Sequence, residues 1–391
     1  MIHPIQTSER KELVERIAAL GPQFSERAGQ YDRDATFPAE NWKDLADEGF
    51  LGLCAPKESG GLGGDFVAYA LVSEELGRHC PTTALTFNMH TATALLAGWI
   101  ADQLGMDDEQ QAHLGRVRPQ LWDGMCHHHV IHSQPFSEGR TPGSGQPIGT
   151  NAVPVDGGYQ VTGKKIFASL SGIADIHNVV AVVEGDPRVR LLGVPADADG
   201  VEIHGDWDPL GMRGTDSRDL ILIDAFVPDD NEVLPPGVFD AMVERFPYFY
   251  MTLSFTYLGL MRAILDLTGE YLRGEHGVAS RRDNHVKQAG WAEMQMIYDK
   301  GQSLMYRVLA EASVDPTKPA LRRAWSTMVA VMEGAPEMAS LAIRVCGGRS
   351  MLRPNKLEQH YRDARCGATM LPWSVEVCLD RLGRYDLYND N

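Results

Sequence analysis

Two groups of residues in this chain have the types and spacing to do chemistry. Phe167 and Ser169 stand two apart in a stretch of alternating apolar and polar residues, 159–175. On a strand, residues two apart point to one face, so the pair offers an aromatic edge and a hydroxyl to whatever packs there. A flat heteroaromatic cofactor uses both; a core phenylalanine beside a chance serine fits the pattern equally. The second group is His127, His128, His129 and His132. Imidazoles titrate near neutrality and suit proton transfer. Their spacing is not that of a metal-ligand set, so no metal site is expected. A hydrogen-bonded histidine at a domain junction is the plainer reading of any one of them.

The elements that must position these groups follow from periodicity and turn signals. Residues 7–31 carry Leu13, Ile17, Leu20 and Phe24 at helical spacing. Pro38 and Gly49 bracket a second helix over 39–48. The segment 55–65 has four glycines in five positions and reads as a loop permitting close backbone approach. Helical patterns then return as far as Trp122. Beyond it the apolar runs shorten to strand length at 179–183, 189–194 and 220–228. A glycine- and proline-rich loop is expected at 137–147, and a hairpin, strand then turn then strand, at 159–175. Past Gly237 the pattern is helical again at 239–273, 286–312, 318–347 and 372–385, with Pro372 opening the last helix. The expected fold is α+β in three parts: an N-terminal all-α domain (1–122), a middle antiparallel β domain (123–236) and a C-terminal four-helix bundle (237–391).

Composition narrows the partners. With 391 residues, 43% of them hydrophobic, the chain can bury a large core. A net charge of −17 without a long basic run argues against nucleic acid. The six cysteines are scattered without paired spacing, which fits free thiols and a cytoplasmic location. Residues 1–11 lack the continuous apolar run of a secretory signal, and no stretch approaches the ~20 apolar residues of a membrane span.

Several motifs, in order from about residue 37 to 384, resemble those of the acyl-CoA dehydrogenase superfamily of flavoproteins. Phe37-Pro38 through Gly64-Asp65 is similar to its first helix and glycine loop. Residues 161–175 are similar to its flavin strand, and Leu210-Gly211-Met212-Arg213-Gly214-Thr215-Asp216-Ser217 to its "L-G-x-R-x-[ST]-x-[ST]" segment. Arg344-Val345-Cys346-Gly347-Gly348 and Tyr361-Arg362-Asp363-Ala364-Arg365 match two elements of its last domain. The resemblance implies FAD as cofactor. Phe167 would pack on the flavin ring, and the Ser169 hydroxyl would bond its N5 and O4 edge. Ser133 would stand for the threonine of the flavin loop, with Gln134 in place of its glutamate. Arg273, Gly347 and Gly348 would reach the FAD of a neighbouring subunit, Arg273 at its pyrophosphate, which implies a homodimer or homotetramer.

The resemblance breaks at the catalytic base. Family members remove an α-proton from an acyl thioester with a glutamate while hydride leaves to flavin N5. One usual position of that glutamate falls in Met370-Leu371-Pro372-Trp373, at Leu371, and the other at Phe249. Neither holds a carboxylate. The implied function is α,β-dehydrogenation of an acyl-CoA, passing electrons to an acceptor such as an electron-transfer flavoprotein, with His129 or His132 as candidate base. Two alternatives stay open. A flavin monooxygenase on this fold would use O2, Ser169 near N5, and an apolar substrate pocket of Phe249, Tyr250, Leu371 and Trp373. A silent subunit would bind FAD only beside an active homologue.

Overall fold

The computed structural model describes residues 5–139, 148–275, 277, 279–353 and 355–388. Residues 140–147 of the expected loop lie outside the described residues.

The N-terminal part is helical. It comprises α1 (Ser8–Asp34), α2 (Ala39–Asp47), α3 (Phe66–His79), α4 (Pro81–Leu95), the short α5 (Ala101–Gln103) and α6 (Asp108–His127). Local chemistry marks the ends. Thr7 and Asp65 accept the Arg10 and Ala68 amides at the starts of α1 and α3, and a reciprocal Asp107/Gln110 box starts α6. Gly49 sits at φ +74° just past α2, a conformation that favours glycine. Helix α4 is buried nearly all round, and its end loosens into a π turn over Leu96–Ile100.

The middle part is a sheet of β1 (His132–Ser133), β2 (Asn151–Val155), β3 (Gly158–Ala168), β4 (Ile176–Val183), β5 (Asp186–Pro195), β6 (Val201–His204), β7 (Arg218–Pro228) and β8 (Glu232–Leu234). Its order is β6-β7-β3-β2-β4-β5-β8, with β1 beside β4. The pairings are antiparallel except β1/β4 and β2/β4, which are parallel. The sheet folds over so that Val179 and Leu192 share a core with Val161 and Leu222. The expected hairpin at 159–175 is instead one long strand, β3, followed by turns. Phe167 (φ +52°) and Leu170 (φ +67°) are left-handed, and the Leu170 amide bonds Thr215 O across to the next segment, so no second strand can continue.

The C-terminal part holds α7 (Val238–Arg245), α8 (Leu253–Arg273), α9 (His285–Glu311), α10 (Lys318–Cys346), α11 (Lys356–Cys366) and α12 (Val375–Leu387). Helices α8, α9 and α10 run antiparallel in turn, and α11 and α12 close the bundle against α10. The single helix expected over 239–273 is broken by a 3₁₀ turn at Pro247–Met251, where proline lacks the amide a continuing helix needs. The last helix starts at Val375, capped by Ser374, rather than at Pro372.

The two helical parts share one continuous core. Helix α3 crosses α8 so closely that a Cβ on Gly77 would lie 2.3 Å from Thr256 O, and one on Gly259 1.9 Å from Glu74 O. Only glycine permits that approach. The sheet is clamped onto this helical block, and a cavity lies in the cleft between them.

Candidate active site

The cavity holds about 620 Å³ and takes walls from all three parts. Helix α4 contributes Leu85, Asn88, Met89 and Ala92. The sheet side contributes Gln134, Phe136, Glu138, Ile166, Phe167 and Ser169, with Trp207, Thr215 and Ser217 from the approach to β7. The bundle contributes Phe249, Tyr250, Leu253, Met370 and Leu371. Most of this lining is apolar.

Phe167 and Ser169 both face the cavity, though not by strand alternation. Between β3 and β7, Lys165 pairs with Leu220 and Ala168 with Arg218, so β3 carries an extra residue there. This bulge re-aims the side chain. Phe167 is left 66% exposed in the single chain, edge-on to Trp207 with ring centroids 6.4 Å apart. The Ser169 amide turns back to Phe167 O (2.9 Å). Its hydroxyl lies 2.8 Å from Ser217 Oγ, which lies 2.8 Å from Thr215 Oγ1, which donates to Met212 O (2.9 Å). Two polar atoms of lining residues are buried without a partner, Asn88 Oδ1 and Trp207 Nε1.

The loop carrying Thr215 and Ser217 is bolted to the helical block. Asp363 on α11 accepts the Met212 amide (2.6 Å), Arg362 pairs with Asp32 of α1 (2.6 Å), and Arg213 donates to Asp32 O (2.7 Å). Burial pushes the Asp363 carboxyl up to about 7, against the pull of the Met212 amide. Sequence reasoning took this segment as a family marker; its geometry makes it a wall of the cavity.

Among the described residues, Glu138 is the one carboxyl lining the cavity. It is not a free base. Fully buried Lys165 pairs with it at 2.6 Å, and Thr150 Oγ1 (2.7 Å) and the Gly149 amide (2.6 Å) donate to it. Burial pushes its carboxyl up, but these donors together hold it down at about 2.

The four histidines fall elsewhere. His127 and His128 are exposed and lie 3.1 Å from Asp123. His129 is exposed at φ +54°. His132 is buried, its backbone amide donating to His90 Nδ1 (3.1 Å) and its own Nδ1 accepting from Asn178 (3.2 Å). Burial, with the neighbouring His90, lowers it to about 3, so it stays neutral and weakly basic. None of the four lines the cavity.

The remaining expected residues divide. Phe249, Tyr250 and Leu371 line the cavity as expected of a pocket. Trp373 does not. It is buried behind Tyr250 (6.1 Å) and against Trp325, because capping of α12 by Ser374 turns it into the core. Ser133 is buried on β1 and bonds His177 Nδ1 (2.7 Å), whereas its neighbour Gln134 reaches the cavity and donates to Thr93 Oγ1 (3.1 Å). Arg273 ends α8, exposed and paired with Glu275. Gly347 and Gly348 end α10, with open space around each. Lys287 at the start of α9 bonds Val345 O, so these ends lie together at one end of the bundle, away from the cavity. The Asn88 face of α4 and Trp207 were missed. Asn88 sits in a Thr- and Ala-rich helix buried on nearly every side, so no polar face singles it out, and Trp207 lies in a loop with no periodicity.

The chain matches the acyl-CoA dehydrogenase N-terminal domain over residues 7–118, the middle domain over 140–225 and the C-terminal domain over 239–371. It belongs to the acyl-CoA dehydrogenase family. It is 26% identical to the putative acyl-CoA dehydrogenase YdbM of Bacillus subtilis (strain 168), over 93% of each chain. It is 29% identical to isobutylamine N-hydroxylase of Streptomyces viridifaciens, over 58% of this chain and 60% of that one. Among solved structures, KijD3 in complex with dTDP superposes at TM-score 0.83 (22% identity, 97% and 96% of the two chains). FMN-bound TdsC from Paenibacillus sp. A11-2 superposes at 0.82 (22% identity, 96% and 97%).

The cofactor of this family is a flavin, FAD as a rule. The cavity fits one. Phe167 offers an exposed ring and Ser169 a hydroxyl, beside the polar side chains of Gln134, Thr215 and Ser217 in an otherwise apolar lining. No helix among the described residues is long and apolar enough to cross a membrane, and no group of three potential ligands among them could hold a metal ion.

Proposed function

We propose that this chain is a flavin-dependent monooxygenase acting on a small apolar substrate. One observation carries the reading: among the described residues, the only carboxyl lining the cavity is neutralised by Lys165, and no histidine lines it. A dehydrogenase of acyl thioesters needs a proton acceptor at the substrate α-carbon; an oxygenase does not. Isobutylamine N-hydroxylase, whose name states an oxygenation, supports the reading, as does TdsC, described as a dibenzothiophene monooxygenase. When bound, reduced flavin would supply two electrons to O2, so that one oxygen atom enters the substrate and the other leaves as water. Phe249, Tyr250 and Leu371 would hold the substrate and exclude solvent. Tyr250, pushed up to about 12 by burial, would stay protonated. Arg273, Gly347 and Gly348 would meet the flavin of a neighbouring subunit in a cytoplasmic homodimer or homotetramer.

The match to YdbM along nearly the whole chain favours a second reading, α,β-dehydrogenation of an acyl-CoA with an electron-transfer flavoprotein as acceptor. It needs His129 or His132, or another base, to reach the cavity. One experiment separates the two. The flavin-loaded protein is mixed anaerobically with a panel of acyl-CoAs, and its absorbance followed. The expected result is no bleaching, with rapid reaction of the chemically reduced flavin with O2. Bleaching by any thioester would establish the dehydrogenase instead, and failure to hold flavin at all would indicate a partner subunit.

A further inference from the structure

The three contacts behind Ser169 have a direction. Met212 O can only accept, so the Thr215 hydroxyl hydrogen lies on that bond. Thr215 Oγ1 then has no hydrogen left for Ser217, and the Ser217 hydroxyl must donate to it (2.8 Å). Ser217 in turn has none left for Ser169, and Ser169 must donate to Ser217 (2.8 Å). This is the one assignment that puts a hydrogen in every contact. It leaves Ser169 with only lone pairs for the cavity. Ser217 is buried and Thr215 almost fully so, which removes water as a competing partner.

We propose that Thr215 and Ser217 are positioning residues that polarise Ser169 into a hydrogen-bond acceptor, so that the site prefers reduced flavin over oxidised. Oxidised flavin presents a lone pair at N5, reduced flavin an N–H. An acceptor hydroxyl complements only the second. Toward N5, Ser169 is therefore an acceptor. The inference rests on flavin lying against Ser169 and is independent of whether the reaction is oxygenation or dehydrogenation.

The test is the flavin reduction potential, measured anaerobically by equilibration with a reference dye. Ser217→Ala frees the Ser169 hydrogen to bond the oxidised ring. The ratio of oxidised to reduced flavin affinities should then rise about tenfold, the size of one ordinary hydrogen bond, which lowers a two-electron potential by about 30 mV. Thr215→Val, similar in shape without the hydroxyl, should shift the potential the same way, while Thr215→Ser should keep the original value. In a Ser169→Ala background, Ser217→Ala should do nothing further. An unchanged potential in Ser217→Ala and Thr215→Val, beside a lowered one in Ser169→Ala, would overturn the relay. An equal effect of Ser217→Ala with and without Ser169 would overturn it too. No shift in Ser169→Ala itself would instead remove the premise that flavin lies here.

Discussion

Replacing Lys165 by Met should destabilise the sheet by about 3 kcal/mol, and most of that loss should disappear when Glu138 is also changed to Gln. The magnitude follows from the contacts. Lys165 is fully buried, its ammonium shared between Glu138 (2.6 Å) and Val180 O (2.8 Å). Breaking a buried pair at one partner leaves an uncompensated charge and costs roughly 3–5 kcal/mol. Glu138 would keep Thr150 Oγ1 and the Gly149 and Thr150 amides, which puts the cost at the low end. With both charges removed, the residual cost should be about 1 kcal/mol, because neutral replacements of a buried pair are often tolerated. The acid limb should move as well. The folded Glu138 carboxyl lies at about 2, below its unfolded value. Its contribution is therefore present above the ordinary carboxylate range and lost as pH falls toward 2. Without Lys165 the carboxyl rises from that value, so the stability it contributes shrinks and is lost at higher pH than in the parent chain. Native-state hydrogen exchange of the β3 and β4 amides is the suitable assay, since a chain of this size does not unfold as one unit. Equal losses in the single and double variants would refute the reasoning and assign the effect to the lysine stem.

Three further outcomes follow from the same geometry. Gly77→Ala and Gly259→Ala should each cost at least about 2 kcal/mol, because the new Cβ meets backbone on the facing helix; an unchanged melting temperature would mean that α3 and α8 do not meet so closely. His90, His132, His177 and His360 are buried, and burial lowers them to about 4, 3, 4 and 4. Each stays neutral in the fold while the unfolded chain gains its proton below about 6.5, so stability is lost as pH falls from there. Four such groups give a slope of up to about 5 kcal/mol per pH unit near pH 5.5, read from melting temperature against pH; a flat profile between 7 and 5 would refute it. Trp207→Phe removes a buried N–H that lacks a partner. The protein should keep its melting temperature, because losing an unpaired buried donor, worth about 1–3 kcal/mol, offsets the smaller ring; a fall of several degrees would refute this.

The architecture was legible because periodicity reports burial. Helices α1, α2, α9 and α10 follow their apolar spacing and caps to within a few residues, and the three-part order follows from where that spacing changes. What was not legible depends on contacts distant in sequence. The strand at 159–168 stops because a bulge and two left-handed residues turn it toward Thr215, some 45 positions away. Helix α11 was taken only as a motif, since its buried polar face, Gln359, His360 and Asp363, hides the apolar stripe that signals a helix. Phe167 and Ser169, singled out by spacing, both line the cavity, although a different local geometry brings them together. The four histidines lie outside the cavity lining, and titration near neutrality, the property that singled them out, belongs to exposed imidazole. Burial of His132 removes that property, and no pattern in the sequence gives its burial.

The division of the cavity between its walls bears on what the chain can catalyse. Ser169, which would meet a cofactor edge, and Ser217 and Thr215 behind it come from the sheet and its approach to β7, and that loop is pinned to the helical block through Met212 and Arg213. Of the apolar wall, Phe249, Tyr250 and Leu371 come from segments between the bundle helices and Leu253 from the first turn of α8. Charges near the cavity are compensated within the protein: Glu138 by Lys165, Arg213 by Asp208, and Arg362 by Asp32. Among the described residues, such a lining presents neutral dipoles and holds no uncompensated carboxyl and no imidazole. Both glutamate positions of the family, 249 and 371, lie in the apolar wall. Restoring a carboxylate there, as Leu371→Glu, would therefore introduce a proton acceptor without disturbing the hydroxyl relay on the opposite side. Bleaching of the flavin by an acyl-CoA in that variant but not in the parent chain would show that the cavity accommodates a thioester and lacks only the base. Failure of both would mean that the apolar wall itself excludes the thioester.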